Sequence, residues 1–372
     1  MAKKKQKEKG IAYFDYNLLF LVIFLLCFGL VMLYSSSSYT SFNKYGDSAF
    51  YLKKQIRNIL FGTVCMIVMM SIDYRIWKKL SIWVFFISVI LCGILLVPGM
   101  GLSSHGSSRW IGLGPIQFQP SEIAKIAVIM FFAAILERVP NRLNRMKDLV
   151  KVCIPIIPLI GMVAYSNLST GIIILGIVFA MLFVASPRYV QFIILGVVAV
   201  IGIVIFIATA GYRGTRVQTW LNPEAAGNDG YQTMMGLYAI GSGGLFGKGL
   251  GESLQKLGNV PESQNDMIFT IICEELGLFG AICLILLFLL LIWRMMIIAN
   301  NAADLYGALV VTGVMAHISL QVLLNIAVVT NTIPNTGVIL PFISYGGTSI
   351  MFLMGEMGLV LSVSKGIKLE TF

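Results

Sequence analysis

Asp266 closes a polar stretch, Gly211 to Asp266, that is rich in Arg, Asn, Asp, Glu, Gln and Gly and lies between long apolar runs. Its last piece, Gly258-Asn-Val-Pro-Glu-Ser-Gln-Asn-Asp266, delivers a carboxylate to the edge of the run Met267-Ile-Phe-Thr-Ile-Ile-Cys. An acid held at the rim of a hydrocarbon layer can act on a substrate whose head is polar and whose tail lies in lipid. In the same stretch Arg213 and Arg216 are three apart, a spacing that turns two guanidiniums toward one anion, and Arg grips phosphate oxygens in a bidentate way. Headgroup binding without catalysis is the competing explanation. A polar segment of this length is rarely a mere connector, so chemistry is expected here.

Further candidates flank it. Glu262, four residues before Asp266, is placed to tune its pKa. Glu274 and Glu275 follow, but on a continuous helix Glu274 lies about 12 Å along the axis from Asp266 and Glu275 faces the other way. That is too far for a glycosidase-like pair of carboxylates, so hydrogen bonding within a bundle is expected of both. Upstream, Ser107-Ser-Arg-Trp-Ile runs through Gln119-Pro-Ser-Glu122 to Lys125. Glu122 and Lys125 share a helix face and can neutralise each other, either as a structural ion pair or as part of a polar cavity. Arg109, beside Trp110, is read as a phosphate contact or an interfacial anchor. The glycines between 241 and 251 lack the Gly-Lys-Ser/Thr ending of a nucleotide-binding loop, and a close backbone approach to a ligand or helix is expected of them. Between Asn325 and Ser349, prolines, glycines and amides break the chain where a bilayer would demand a helix, which is tolerated only in a protein interior or a watery cavity. His317 and Glu356 read as packing or interhelical hydrogen-bonding residues.

These groups need a scaffold, and composition supplies it. The chain of 372 residues is 58% hydrophobic and 12% charged, with mean hydropathy +0.87. Several apolar runs reach the roughly 18 to 20 residues that cross about 30 Å of hydrocarbon. The expected fold is an all-α polytopic membrane protein of about ten transmembrane helices. Spans are read near 17–34, 56–72, 80–97, 121–137, 150–165, 169–186, 189–210, 267–293, 305–330 and 343–364, with a large extracellular loop, 211–266, between helices 7 and 8. The whole of 1–372 is one integral membrane domain, with a basic cytoplasmic tail at 1–10 and a first span that reads as a retained anchor. The larger share of the Lys and Arg falls on the side of that tail, which places both termini in the cytoplasm. Net charge +10 is explained by this topology and by anionic membrane lipids, with no nucleic acid implied. The six cysteines lie in or beside apolar runs without metal-ligand spacing.

With these motifs in view the chain resembles the SEDS family (shape, elongation, division and sporulation), the group of FtsW, RodA and SpoVE. The resemblance rests on Phe14-Asp-Tyr-Asn, Arg109-Trp-Ile, Gln119-Pro-Ser-Glu, Tyr231-Gln, Gly241-Ser-Gly-Gly-Leu-Phe-Gly-Lys-Gly, Val260-Pro-Glu, Asp266-Met-Ile-Phe, Glu274-Glu-Leu-Gly and Leu340-Pro-Phe-Ile-Ser-Tyr-Gly-Gly. Tyr165-Ser-Asn-Leu-Ser-Thr170, Ala327 and Asn331 depart from the family's usual residues. The Phe-Asp-Tyr start and Asn-Thr-Ile-Pro-Asn-Thr-Gly look more like FtsW or SpoVE than RodA.

The resemblance implies a peptidoglycan glycosyltransferase in the bacterial cytoplasmic membrane. It would polymerise lipid II, the undecaprenyl-diphosphate-linked disaccharide pentapeptide, on the outer face, with cell division as the expected process. It implies Asp266 as the catalytic base, and around it a substrate site is expected to draw on Arg109, Glu122, Lys125, Arg213, Arg216, Lys256, Glu262, Ser344, Tyr345, Gly346 and Gly347. It also implies a class B penicillin-binding protein as partner, among other divisome membrane proteins. No metal ligands are assigned and no cofactor is required, although the diphosphate chemistry admits a divalent cation, Mg or Mn. A lipid II flippase and a non-catalytic scaffold for the penicillin-binding protein stand as alternatives.

Overall fold

The structure, a computed structural model, describes residues 13–97, 102–104, 107–113, 116–139, 143, 146–186, 191, 193–194, 196–198, 201–202 and 211–367. The expected basic tail and most of the expected span 189–210 lie outside the described residues. Helices α1 (Tyr16–Tyr45), α2 (Phe50–Ser71) and α3 (Tyr74–Ile94) lead to three short strands, β1 (Leu102–Ser104), β2 (Ser107–Leu113) and β3 (Ile116–Phe118). Then come α4 (Pro120–Arg138), α5 (Met146–Cys153), α6 (Ile157–Ser166) and α7 (Leu168–Ala185). After the interval outside the description, α8 (Gly211–Leu221), α9 (Asn228–Ser242), α10 (Ile268–Asn300), α11 (Leu305–Val329) and α12 (Ser349–Lys365) complete the chain.

Local chemistry sets many of these limits. The Asp15 carboxylate accepts from Leu18 N at 2.8 Å and starts α1, and Gly46, with φ 71°, ends it. Asp304 starts α11 by accepting from Gly307 N at 2.8 Å. Pro155 lies in the break between α5 and α6, which meet at 56°. The expected span 150–165 is therefore a bent pair. The last helix begins at Ser349, six residues later than expected, because Pro341 and the Gly346-Gly347 turn hold the preceding chain out of helix.

Among the described residues, five helices, α1, α3, α7, α10 and α11, are each long and apolar enough to cross a membrane, and the bent pair α5–α6 makes six if it is one span. Some charged side chains lie within the bundle itself. In α4, Glu122 and Lys125 are both buried; in α12, the Glu356 Oε2 meets His317 Nδ1 of α11 at 2.8 Å, with both side chains buried. A charge kept from hydrocarbon by the bundle is paired where it lies. α11 packs against α4, α7, α10 and α12, and α12 also packs along α2.

Two features differ from the expected all-helical plan with one open loop. Strands β1–β3 form a small antiparallel sheet, with Ile111 opposite Phe118. The stretch 211–266 is not a single loop but two helices, α8 and α9, followed by turns. Its glycine run docks on α10, which kinks at Gly277 (φ 68°). The kink frees backbone groups, and the run satisfies them. Lys248 N and Gly249 N donate to the carbonyls of Glu274 and Glu275 at 3.0 Å each, while Leu278 N and Phe279 N donate to Gly244 O at 2.9 Å and Leu245 O at 3.0 Å. A Cβ on Gly247 or Gly277 would collide with the opposite backbone. This is the close approach expected of the run, made to a helix.

Candidate active site

Asp266 lies in the turn that leads into α10. Asn325, near the end of α11, holds it in place: Asn325 Nδ2 donates to Asp266 O at 2.8 Å and to Val338 O at 2.7 Å. One amide thus ties the acid to the non-helical segment between α11 and α12. Gly337 of that segment passes the carboxylate closely, since a Cβ there would lie 3.8 Å from Asp266 Oδ2, and its φ of 65° suits glycine.

The segment is clamped along its length. Trp220 Nε1 of α8 donates to Asn331 O at 3.0 Å, Arg216 Nη1 to Asn335 O at 3.1 Å, and Ser169 Oγ of α7 to Thr336 O at 3.1 Å. Gln321 Nε2 donates to Ile339 O at 3.1 Å, Gln55 Nε2 of α2 to Ser344 O at 3.2 Å, and Tyr345 N to Gln264 O at 2.9 Å. These contacts supply the partners that irregular backbone needs at such a position. Asn331 and Phe342 are held at φ 54° and 64°, a left-handed strain sustained by the clamps around them.

The carboxylate of Asp266 is half-buried, and its Oδ1 is shielded from solvent with no hydrogen-bond partner among the described residues. Burial raises its pKa to about 7, the negative charge of Glu262 adds to the rise, and backbone N–H groups and Arg216 oppose it. Glu262 is itself exposed, at φ 54°, and accepts from Asn265 Nδ2.

Two more carboxylates follow, in a different setting. Glu274 receives Lys248 Nζ at 2.6 Å, Ser242 Oγ at 3.3 Å, the Ser253 hydroxyl, and the backbone N–H of Leu254 and Gln255. Glu275 receives Ser35 Oγ of α1 at 2.6 and 2.7 Å and Lys256 Nζ at 2.8 Å. Both glutamates have 0% exposure, which confirms the bundle role expected of them.

The expected site residues divide accordingly. Arg216, Glu262 and the segment containing Ser344 to Gly347 share the Asp266 end of the bundle. Ser344 Oγ accepts from Leu340 N at 2.9 Å, and the Tyr345 ring packs edge-on to Tyr51 at 4.9 Å. Gly346 O accepts from Ser349 N at 2.8 Å, and Gly347 turns the chain at φ 50°. Lys256, expected in the substrate site, is engaged with the bundle. Its three ammonium donors reach Glu275 Oε1, Ser35 Oγ at 3.1 Å and Gly251 O at 2.6 Å, so its charge holds the loop to α1 and α10. Glu122 and Lys125 pair with each other at 2.9 Å. The side chains of Arg109 and Arg213 lie outside the described residues, although the backbone places them on β2 and α8. Asn325 and Gly337 were not singled out from sequence as site residues. The signal was an amide at the end of an apolar helix, just before a broken segment.

A sequence profile of the FtsW, RodA and SpoVE family, described as cell cycle proteins, matches residues 16–368. Stage V sporulation protein E of Bacillus subtilis (strain 168) is 39% identical over 360 residues, spanning 94% of this chain and 97% of that protein. A probable peptidoglycan glycosyltransferase FtsW of Trichlorobacter lovleyi is 36% identical, spanning 98% of this chain and 96% of that one. Among solved structures, one on the structural coordination of polymerization and crosslinking by a peptidoglycan synthase complex contains a similar chain, with TM-score 0.78, 25% identity and 94% and 97% coverage. The rod shape determining protein RodA of Thermus thermophilus shares the fold, with TM-score 0.72 at 24% identity over 96% of this chain and 98% of that one.

Proposed function

The chain belongs to the FtsW, RodA and SpoVE family of cell cycle proteins, and from that membership we propose that it is a multi-pass peptidoglycan glycosyltransferase that polymerises lipid II at the outer face of the cytoplasmic membrane. The observation that carries the reading is Asp266: an acid at the head of a spanning helix, with an Oδ1 unpartnered among the described residues and a pKa raised to about 7, beside Arg216. In the reaction a sugar hydroxyl of one chain attacks the anomeric carbon of another. The new C–O bond forms as the bond to the diphosphate breaks, and the diphosphate departs with the electron pair. Asp266 takes the proton from the attacking hydroxyl; a base with a pKa near the working pH does this with favourable driving force. Arg216, with Arg213 on the same helix, supplies positive charge for the departing diphosphate. Asn325 and Gly337 position the acid and leave room beside it.

Among the described residues no three metal-ligating side chains gather at one point. Asp266 and Glu262 are the carboxylates that a divalent cation, Mg or Mn, would meet here, and no step above passes through one. The distribution of Lys and Arg supports a topology with both termini in the cytoplasm. Work beside a class B penicillin-binding protein and other divisome membrane proteins, in cell division, completes the proposal. It is supported by the FtsW and sporulation relatives and by the synthase-complex structure.

Purified protein given labelled lipid II in detergent tests the reading. Glycan strands from the wild type and none from Asp266→Asn are expected. No product from a folded wild type would sink it in favour of a flippase or a scaffold, because detergent removes membrane sidedness.

A further inference from the structure

The end of the bundle opposite Asp266 holds a cavity lined by charged side chains that the glycosyltransferase reading does not use. It measures about 320 Å³ and is lined by Arg75, Lys78, Lys79, Glu137, Arg138, Asp304 and Tyr306, from the ends of α3, α4 and α11. α10, which runs from beside Asp266 to Asn300, separates the two ends by roughly 50 Å of helix at 1.5 Å per residue.

Four cations face two carboxylates here, and both carboxylates are already engaged. Asp304 accepts from Gly307 N at 2.8 Å, Tyr74 Oη at 2.8 Å and Arg75 Nε at 2.9 Å. Glu137 pairs with Lys78. No ion pair is described for Lys79 or Arg138 among the described residues, and both are exposed at the cavity mouth. Deeper in, Tyr306 is 1% exposed, and its ring stacks on Tyr74 with centroids 6.3 Å apart. Its hydroxyl, near enough to Glu137 and Asp304 to sense both charges, has no hydrogen-bond partner among the described residues. A buried hydroxyl without a partner is costly, and an acceptor in the cavity would remove that cost.

We propose that this cavity binds a phosphate anion, with the Tyr306 hydroxyl donating to one oxygen while Lys79 and Arg138 supply the charge that Glu137 and Asp304 leave uncancelled. Two sources carry that chemistry: the headgroup of an anionic membrane lipid and free phosphate. A basic pocket between helix ends at a membrane surface suits the headgroup.

The full-length protein, purified in neutral detergent, is titrated with phosphatidylglycerol and separately with inorganic phosphate, and binding is read as retained lipid by native mass spectrometry and as thermal protection. Tyr306→Phe keeps the ring and its packing, and the double change Lys79→Ala with Arg138→Ala alters only exposed side chains, so both variants are expected to fold. Each should bind about tenfold more weakly or worse, the size of one or two lost charge-assisted hydrogen bonds. Protection by phosphatidylglycerol alone assigns the site to a lipid, and equal protection by phosphate assigns it to the free anion. Binding of neither probe, or binding that both variants leave unchanged, overturns the proposal.

Discussion

Glu274 and Glu275 stand within ten residues of Asp266 along the chain and have the opposite surroundings. Each glutamate is enclosed, met by a lysine and by hydroxyl or backbone donors. A buried carboxylate so provided has its oxygens engaged and its charge balanced, which makes it a structural tie. Asp266 has an Oδ1 with no donor among the described residues, and the carboxylate of Glu262 adds like charge. The contrast separates a charge that builds the site from one that can work in it. The two lysine–glutamate pairs fasten the 242–256 chain to α10 and thereby fix the turns that end in Asp266.

The largest expected effect breaks the working side of this contrast. Asp266→Asn should lower strand synthesis on the order of a hundred- to ten-thousand-fold, the usual range for loss of a general base. The protein should remain folded. A carboxyl whose pKa is higher folded than unfolded binds its proton more tightly in the native state, so its contribution to stability is present at low pH and is lost as pH rises from about 4 through about 7. Asp266→Asn should therefore melt above the wild type at pH 8, with the gap closing toward pH 4. Near-normal synthesis by the Asn variant, or a melting gap that widens in acid, would place Asp266 among the structural carboxylates.

Next comes the building side. Glu275→Gln strands the buried Lys256 ammonium and should cost about 3 to 5 kcal/mol of stability, as breaking a buried pair does. The double variant with Lys256→Met should recover most of it. Unfolding in detergent measures the first effect. Synthesis per folded molecule should stay close to wild type, and a stable but inactive Glu275→Gln would show that the pair belongs to the chemistry after all.

Much of this was legible in order along the chain. The apolar runs located most of the helices, and the shift from polar to apolar at 266–267 marked the acid's place at a helix mouth. The Pro and Gly content of 325–349 marked the broken segment. Other features depend on contacts between distant residues. The partners of Lys256, Ser35 and Glu275, come from two other helices and are not adjacent to it in sequence. The glycine run predicts a close backbone approach, but only the kink at Gly277 shows which carbonyls take its N–H groups. α8 and α9 were hidden by their polar and glycine residues, which lower helix propensity and leave tertiary packing to decide. The role of Asn325 depends on a segment folding back over it.

Arg216 offers an intermediate test. Arg216→Ala should weaken lipid II use, both through lost charge near the diphosphate and through the lost bond to Asn335 O. Arg216→Lys should restore part of it, since a lysine keeps the charge without the planar fork. Rates measured against lipid II concentration distinguish binding from turnover. A full-rate Lys variant would reduce the role of this residue to charge, and a full-rate Ala variant would remove it from the site.

The smallest expected effect sharpens the contrast at its electrostatic edge. Synthesis should rise with pH through about 7 as Asp266 gives up its proton. Glu262 contributes to that position because its own negative charge disfavours a second one nearby. Glu262→Gln removes the repulsion, lowers the pKa of Asp266, and moves the rising limb to lower pH. The carboxylate is exposed, so the shift should be about half a pH unit, the size of a water-screened interaction across several Å. Added salt should shrink the difference between variant and wild type by screening the same charge. A limb that does not move assigns the raised pKa of Asp266 to burial alone. A limb that moves to higher pH would mean that Glu262 helps to ionise Asp266, and the contrast between working and building carboxylates would fail at its nearest neighbour.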